Sequence, residues 1–391
     1  MVFARAAAII FTNGDNDTFP LWYNQDVEGV RTDARVCNLS YLQTDWYINQ
    51  MKSQAYESDP LPIDLRRDQY AHDKLNYAHL IQVTEEEELP LHVAMTCLYS
   101  DDPRYKTLPN YGKLDFLPAK KFGIEVNPEE VLASPCISVK DTSELITHMT
   151  IDLSNKSYVT KNEIAVLAMI DGISRTGWKR PIYFATTVGR DMYMGLDKYF
   201  RLVGLAYQIV PLANGGTSTP DIDKSYDNLM NKFVWGNIQD TTIYLDENNR
   251  RMCRTQRMMF CTLIEQLLST GDMERALKAT EFCDQTIPAA NVPYEYTSLT
   301  LAQSYYLCGK PEEGNRILQA IIDSNEEYLN WAYSLDKRHM HRITNQIREQ
   351  LLTMRDALNI AKRYENEEFV NRYDAEFRGY FEKAVSIYKL L

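Results

Sequence analysis

Asp15, Asn16 and Asp17 set two carboxylates and an amide side by side within FTNGDNDTFP (residues 11–20), directly after the apolar run AAAII. Oxygen donors of this kind suit a hard divalent cation such as Mg²⁺, Mn²⁺ or Ca²⁺. They equally suit the hydroxyls of a polyol, from which a carboxylate accepts hydrogen bonds. A third reading needs no ligand. Gly14 allows a left-handed turn, Asn13 and Asp15 favour one, and Asp17 or Thr18 can cap the helix that follows. Two carboxylates are few ligands for a metal, and both would repel a phosphate unless a cation stood between. A cation at Asp15 and Asp17, an anionic or sugar-like ligand, and a purely structural loop therefore all stand as expectations.

What would position these residues is the alternation of strand-like and helix-like segments around them. AAAIIFT reads as a buried strand. FPLWYNQDVEG reads as a short helix with Pro20 in its first turn and Gly29 at its end. ARVCNLS is a second strand, which makes a βαβ unit with a parallel pair, and TDWYINQMKSQ opens another helix. Open parallel sheets bind ligands beyond the carboxyl ends of their strands, and NGDNDT lies there. Asn38, Ser40, Thr44, Asp45 and Trp46 end or follow the second strand, and Thr187 and Arg190 end or follow PIYFATT. The candidate ligand rim is thus Asn13, Asp15, Asn16, Asp17, Thr18, Asp45, Trp46, Thr187 and Arg190, with Trp46 offering an aromatic face to a sugar ring. Asp45, beside Thr44, can instead be a cap, and Trp46 a core residue.

Residues 53–145 are rich in Pro and turn residues and read as an irregular insertion, with LHVAM a candidate short strand and Glu85–Glu88 a solvated charge run. TKNEIAVLAMIDGISRTG is a helix with a capping box, Thr160 and Glu163, and Gly177 just past its end. YFRLVGLAYQIVPL contains a further strand. Together these predict a Rossmann-like, mostly parallel three-layer α/β domain over residues 1–213. ANGGTSTPD (213–221) reads as a linker. Residues 222–391 read as an all-α domain. Two amphipathic helix pairs turn at Gly271 and, 38 residues later, at Gly309, resembling tetratricopeptide repeats with Ala276 and Gly314 as the small residues. Two more helices follow, with stripes Ile347, Leu351, Met354, Leu358, Ala361 and Phe369, Tyr373, Phe377, Phe381, Ala384, which read as packing faces. Arrays of this kind offer a groove to a peptide or partner.

Composition narrows the function classes. The 391 residues carry a net charge of −12 with no basic block, which argues against nucleic acid as a partner. The longest apolar run is too short to span a bilayer and the N-terminus lacks the form of a signal peptide, so a soluble chain is expected. Seven cysteines without a C-x-x-C, and six histidines without H-E-x-x-H, support neither a disulfide framework nor a zinc site. No G-x-G-x-x-G or Walker A loop is present, and no nucleophile–base set is legible.

Two stretches carry a family resemblance: IIFTNGDNDTFPLWYNQDVEGVRTDARVCNLSYLQTDWYINQM (9–51) and RPIYFATTVGRDMYMGLDKYFRLVGLAYQIVP (180–211). Both resemble the soluble C-terminal region of a bacterial multi-spanning membrane-protein family of unknown function, related to the GT-C protein O-mannosyltransferases of the eukaryotic endoplasmic reticulum. The resemblance implies an upstream membrane module that uses a lipid-linked sugar, with this region at the periplasmic or extracytoplasmic face. Catalysis would lie in a loop between membrane helices, so no catalytic residue and no cofactor is expected in this chain. The α/β domain would support the membrane module or touch glycan at its rim, and the helical repeats would bind acceptor protein or peptide. The alternatives are a self-contained, metal-dependent sugar- or sugar-phosphate-active enzyme using the Asp-x-Asp loop, and a protein-interaction scaffold.

Overall fold

Four buried residues in a row, Ile9–Thr12, form a strand (β1) covered on both faces, a pattern typical of the interior of a layered sheet. In parallel register, Phe11 pairs with Cys37 of Arg35–Asn38 (β2) and with Phe184 of Ile182–Ala185 (β3). Phe200–Leu202 (β4) and Ala206–Ile209 (β5) complete a five-stranded sheet in the order β4-β5-β3-β1-β2. β5 runs antiparallel to both β3 and β4, so the sheet is mixed and not mostly parallel. The cause lies in YFRLVGLAYQIVPL, which holds two strands and not one. Gly204, at φ 99°, turns the chain back on itself, and Val203 N–H bonds to the Ala206 carbonyl at 2.9 Å. A tight turn suffices for an antiparallel return, whereas a parallel one needs a crossover.

The computed structural model describes residues 1–388 apart from Val2, Phe3, Pro135, Ser138, Asn214 and Glu365. Its chain divides into two units, Met1–Lys224 and Ser225–Leu391.

In the first unit, α1 (Asp15–Asp26) connects β1 to β2 and begins at Asp15, so Pro20 lies inside the helix and not in its first turn. The carbonyl that Pro20 leaves unbonded belongs to exposed Asn16, where water can satisfy it. α2 spans Asp45–Met51. LHVAM is no strand: it opens α3 (Leu91–Tyr99), which buries Leu91, Ala94, Met95 and Leu98. That is i, i+3, i+4, i+7 spacing, which five residues are too few to display. α4 (Lys161–Ser174) is buried from Lys161 to Ile173, and its capping box of Thr160 and Glu163 forms, with Thr160 N–H donating to Glu163 Oε2 at 2.9 Å. Two three-stranded sheets, one joining residues 77–80, 116–117 and 158–160, the other 89–90, 121–125 and 148–152, organise the Pro-rich region. The glycine-rich run 213–221 is held on this unit. Ala213 N–H bonds to Glu144 O and Gly216 N–H to Phe200 O, and a Cβ on Gly215 would meet the Lys198 carbonyl at 2.3 Å. Close packing explains Gly215 better than linker flexibility does; Asn214 within the run lies outside the described residues.

The second unit is built from long helices: α5 (Glu247–Ser269), α6 (Met273–Thr286), α7 (Leu299–Leu307), α8 (Pro311–Ser334), α9 (Thr344–Arg363) and α10 (Glu367–Tyr388). Gly271 at φ 78° and Gly309 at φ 76° make the α5–α6 and α7–α8 turns, a conformation that side chains disfavour. α8 approaches α7 so closely that a Cβ on Gly314 would meet the Tyr306 ring at 2.8 Å. Ala276 is fully buried, and Thr280 and Ser304 hydroxyls bond at 2.7 Å between α6 and α7. All seven cysteines are free thiols, and burial pushes Cys136 and Cys283 up to about 12, far from reactive thiolates.

Candidate functional site

The loop after β1 is organised around one hydroxyl. Thr18, wholly buried, donates to the Gly14 carbonyl at 2.6 Å, sits 2.7 Å from the Thr12 hydroxyl, and accepts from Asn38 Nδ2 at 2.9 Å. Thr12 and Asn38 end β1 and β2, so Thr18 fastens the start of α1 to both strand ends. Neither Asp17 nor Thr18 is the helix cap. Gly14 holds that position, at φ 89° and ψ 177°, a region essentially reserved for glycine. Substituting Thr18→Val keeps the shape and strips the hydroxyl, leaving two buried polar groups short of a partner. Stability is expected to fall by about 1–3 kcal/mol in chemical denaturation, with Thr18→Ser losing far less; equal losses for both would show that packing, not the hydroxyl, holds the loop.

Asp17 is the second organiser. Its Oδ2 accepts from Thr187 Oγ1 at 2.7 Å and from Asn13 N–H at 3.0 Å, which ties β1's loop to the end of β3. Asn13 in turn accepts from Ser40 Oγ at 2.6 Å, beyond β2. Three strand ends therefore do converge, through Ser40, Asn13, Asp17 and Thr187. Asp15 and Asn16 are exposed at the same helix start, and their side chains make no hydrogen bond among the described residues.

Two candidate residues face other tasks. Asp45 is drawn away: its Oδ1 accepts from Lys161 Nζ and its Oδ2 from His72 N–H, both at 2.8 Å. Arg190 is exposed, and its charge is felt at Tyr193 and Tyr207, whose hydroxyls burial pushes up. Trp46 is no core residue. It is 57% exposed and joins an aromatic cluster with Tyr41 and Tyr47. Among the described residues no group of three or more His, Cys, Asp or Glu is placed to hold a metal ion.

Sequence reading passed over Asn38 as an organiser. Its side-chain carbonyl accepts from Tyr41 N–H at 3.0 Å while its backbone N–H donates to Tyr47 Oη at 2.9 Å. The signal was present: an amide closing a buried strand has to bond something at the rim.

The helical unit carries a series of adjoining concavities. A cavity of about 460 Å³ lies among α5, α7 and α9 and is lined by Glu265, Thr300, Gln303, Asn359 and Arg363. Through Tyr296, Thr297 and Asp356 it adjoins one of about 560 Å³ lined by Arg348 and Arg355. A third, of about 440 Å³, continues between α9 and α10 past Leu351, Leu352, Phe377, Phe381 and Val385. The stripes expected to pack do so over Ile347, Leu351, Met354, Leu358, Ala361, Phe369 and Tyr373, whereas Phe381 of α10 is exposed.

The architecture is that of a mixed α/β unit joined to a helical array, and none of its described helices is long and apolar enough to cross a membrane. The family described as TMEM260-associated domain 2 matches residues 3–227, and the chain belongs to that family. Both stretches quoted for the family resemblance lie within the match. No curated protein and no solved structure matches the chain.

Proposed function

We propose that this chain is the non-catalytic recognition region of a GT-C-like, protein O-mannosyltransferase-like membrane glycosyltransferase, working at the periplasmic or extracytoplasmic face. The α/β unit, read as a Rossmann-like layered domain, supports the membrane module. The helical unit, read as a tetratricopeptide-like array, holds the acceptor protein in its groove. The observation that carries the reading is the match to a TMEM260-associated domain across residues 3–227. The rim supports a non-catalytic role, because Asp17 is spent on Thr187 and Asn13, while the exposed Asp15 side chain makes no hydrogen bond among the described residues. The groove supports acceptor binding. Amides at Gln303 and Asn359 suit an extended peptide backbone, and Leu352 with Phe381 offers an apolar seat for a side chain.

The test is binding without turnover. Extended Ser/Thr-containing peptides immobilised on a sensor are expected to bind the 391-residue chain, and Asn359→Ala combined with Leu352→Ala to weaken binding at least about tenfold. Sugar transfer by the chain alone, from a lipid-linked or nucleotide-linked donor, would sink the reading.

A further inference from the structure

Beside the rim, aromatic rings form a continuous surface. Phe19 and Trp22 of α1 stack with centroids 5.7 Å apart and planes 28° apart. Trp22 meets Tyr41 at 6.0 Å, and Tyr41 meets Trp46 of α2 at 6.0 Å. Tyr47 stands beneath as a pillar, 1% exposed, edge-on to both Tyr41 and Trp46. The surface is rigidly mounted, since Asn38 at the end of β2 bonds both the Tyr47 hydroxyl and the Tyr41 N–H. Yet Phe19 is 45% exposed, as is most of Trp46. Core formation does not account for this. Tyr47 is sealed, Trp22 and Tyr41 are half-buried, and Phe19 and Trp46 are exposed, so the cluster leaves aromatic surface in water at a hydrophobic cost that a bound ligand would recover.

The polar groups around it choose the ligand. Asp15 and Asn16 stand four and three residues before Phe19, one helical turn away on the same side of α1. Their side chains, the Tyr41 hydroxyl and the Trp46 indole N–H make no hydrogen bond among the described residues. Donors and acceptors thus stand beside a series of rings whose planes tilt by 34° and 49° from Trp22 through Tyr41 to Trp46. The charge nearby is acidic: Asp15 and Asp17 lie in the first turn of α1, whose last turn has no basic residue, while the Asp45 carboxylate is paired with Lys161. Anionic lipid headgroups and phosphorylated sugars are disfavoured by those carboxylates. A neutral pyranose fits, with the C–H face of the ring on the aromatic faces and its hydroxyls bonded by the carboxylate, amide, phenol and indole.

We propose that the Phe19–Trp22–Tyr41–Trp46 surface, bordered by Asp15 and Asn16, is a binding site for neutral hexose units of a glycan. It deepens the recognition role proposed above by adding a sugar to the acceptor peptide, and it is separable from it, because the peptide is tested at the helical groove. A single hexose buries little area, so affinity is expected on the order of millimolar.

The probes are four neutral disaccharides, maltose, cellobiose, mannobiose and diacetylchitobiose, titrated into the full chain with calorimetry and tryptophan fluorescence as readouts. At least one is expected to bind saturably. Trp46→Ala and Phe19→Ala should each weaken it tenfold or more, while Trp331→Ala, an equally exposed tryptophan of the helical unit, leaves it unchanged. Both rings are about half exposed, so an unchanged melting temperature would confirm folding. The site is overturned if none of the four binds up to about 50 mM, or if binding survives both substitutions. It is also overturned if Trp46→Ala instead abolishes binding to vesicles of anionic lipid or a concentration-dependent self-association. Any of these leaves the peptide-binding reading standing.

Discussion

Arg257→Ala is expected to destabilise the helical unit by about 3–5 kcal/mol, the largest single effect predicted for the chain. Arg257 is fully buried in α5. Its Nη1 donates to the Pro293 carbonyl at 2.9 Å, and its Nη2 to those of Ile287 and Val292 at 2.8 and 2.6 Å. The guanidinium carbon lies 5.1 Å from the centre of the Tyr294 ring. All three carbonyls belong to the connection between α6 and α7, so one side chain supplies a donor to each. Two opposing effects decide the sign. Removing a buried charge relieves desolvation, which is why buried ions are sometimes replaced by apolar groups without loss. Against that, three carbonyls lose their donor, and the two in buried hydrogen bonds, those of Ile287 and Val292, cost about 1–3 kcal/mol each when no water replaces it. The second effect should prevail, because the carbonyls are fixed in place whether or not the arginine is there. Arg257→Met separates the terms, since it refills most of the volume and restores none of the hydrogen bonds. If that variant unfolds within about 1 kcal/mol of the unaltered chain by denaturant titration of far-ultraviolet circular dichroism, the carbonyl argument is wrong. Arg257→Lys should recover only part of the loss, because a compact ammonium cannot reach three carbonyls that a planar fork spans.

How much of this was legible in the sequence depended on whether the controlling interaction was local. β1, α1 and β2 announce themselves through a short apolar run, a helix-entry loop and a second strand-like segment at βαβ spacing, and the capping box of Thr160 and Glu163 is written in two residues three apart. Gly271 and Gly309 mark their turns for the same reason. The antiparallel β4–β5 pair was lost because Gly204 inside an apolar run reads as a flaw in one strand as readily as the turn between two. At the site, the convergence of Asn13, Asp17 and Thr187 follows from strand ends sharing a rim. What sequence alone could not supply is where a carboxylate is used up. Asp45 and Asp17 look alike in the chain, yet one answers a lysine 116 residues away and the other a threonine 170 residues away. The aromatic surface was half visible. Trp46 stands out, but its partners Phe19 and Trp22 come from a different helix, joined to it only through Tyr41.

Asp45→Ala is expected to cost about 3 kcal/mol or more, although nearly a third of its side chain is exposed. The reason is its partner. Lys161 is 3% exposed, and its ammonium has two acceptors, Asp45 Oδ1 and the Tyr70 carbonyl, each at 2.8 Å. Without the carboxylate, a cation stays buried on a single carbonyl. The same substitution frees His72 N–H, at the head of a segment where His72, Asp73 and Leu75 all hold positive φ, a conformation that persists only when its surroundings enforce it. Lys161→Met should be milder, at about 1 kcal/mol, because the carboxylate left behind can be hydrated. That asymmetry between two ends of one ion pair is the decisive measurement, and equal losses would refute it. pH supplies a second reading. Burial raises the Asp45 pKa, but the hydrogen bonds from Lys161 and His72 outweigh it and hold the carboxyl below its usual value. A folded-state pKa below the unfolded one gives stability that is fully present above the ordinary carboxylate range and is lost as pH falls through the folded value, so the loss belongs below about pH 4. Asp45→Asn should therefore lower stability at neutral pH and flatten the acid limb there, whereas a limb that keeps its full slope would mean that another carboxylate controls acid unfolding.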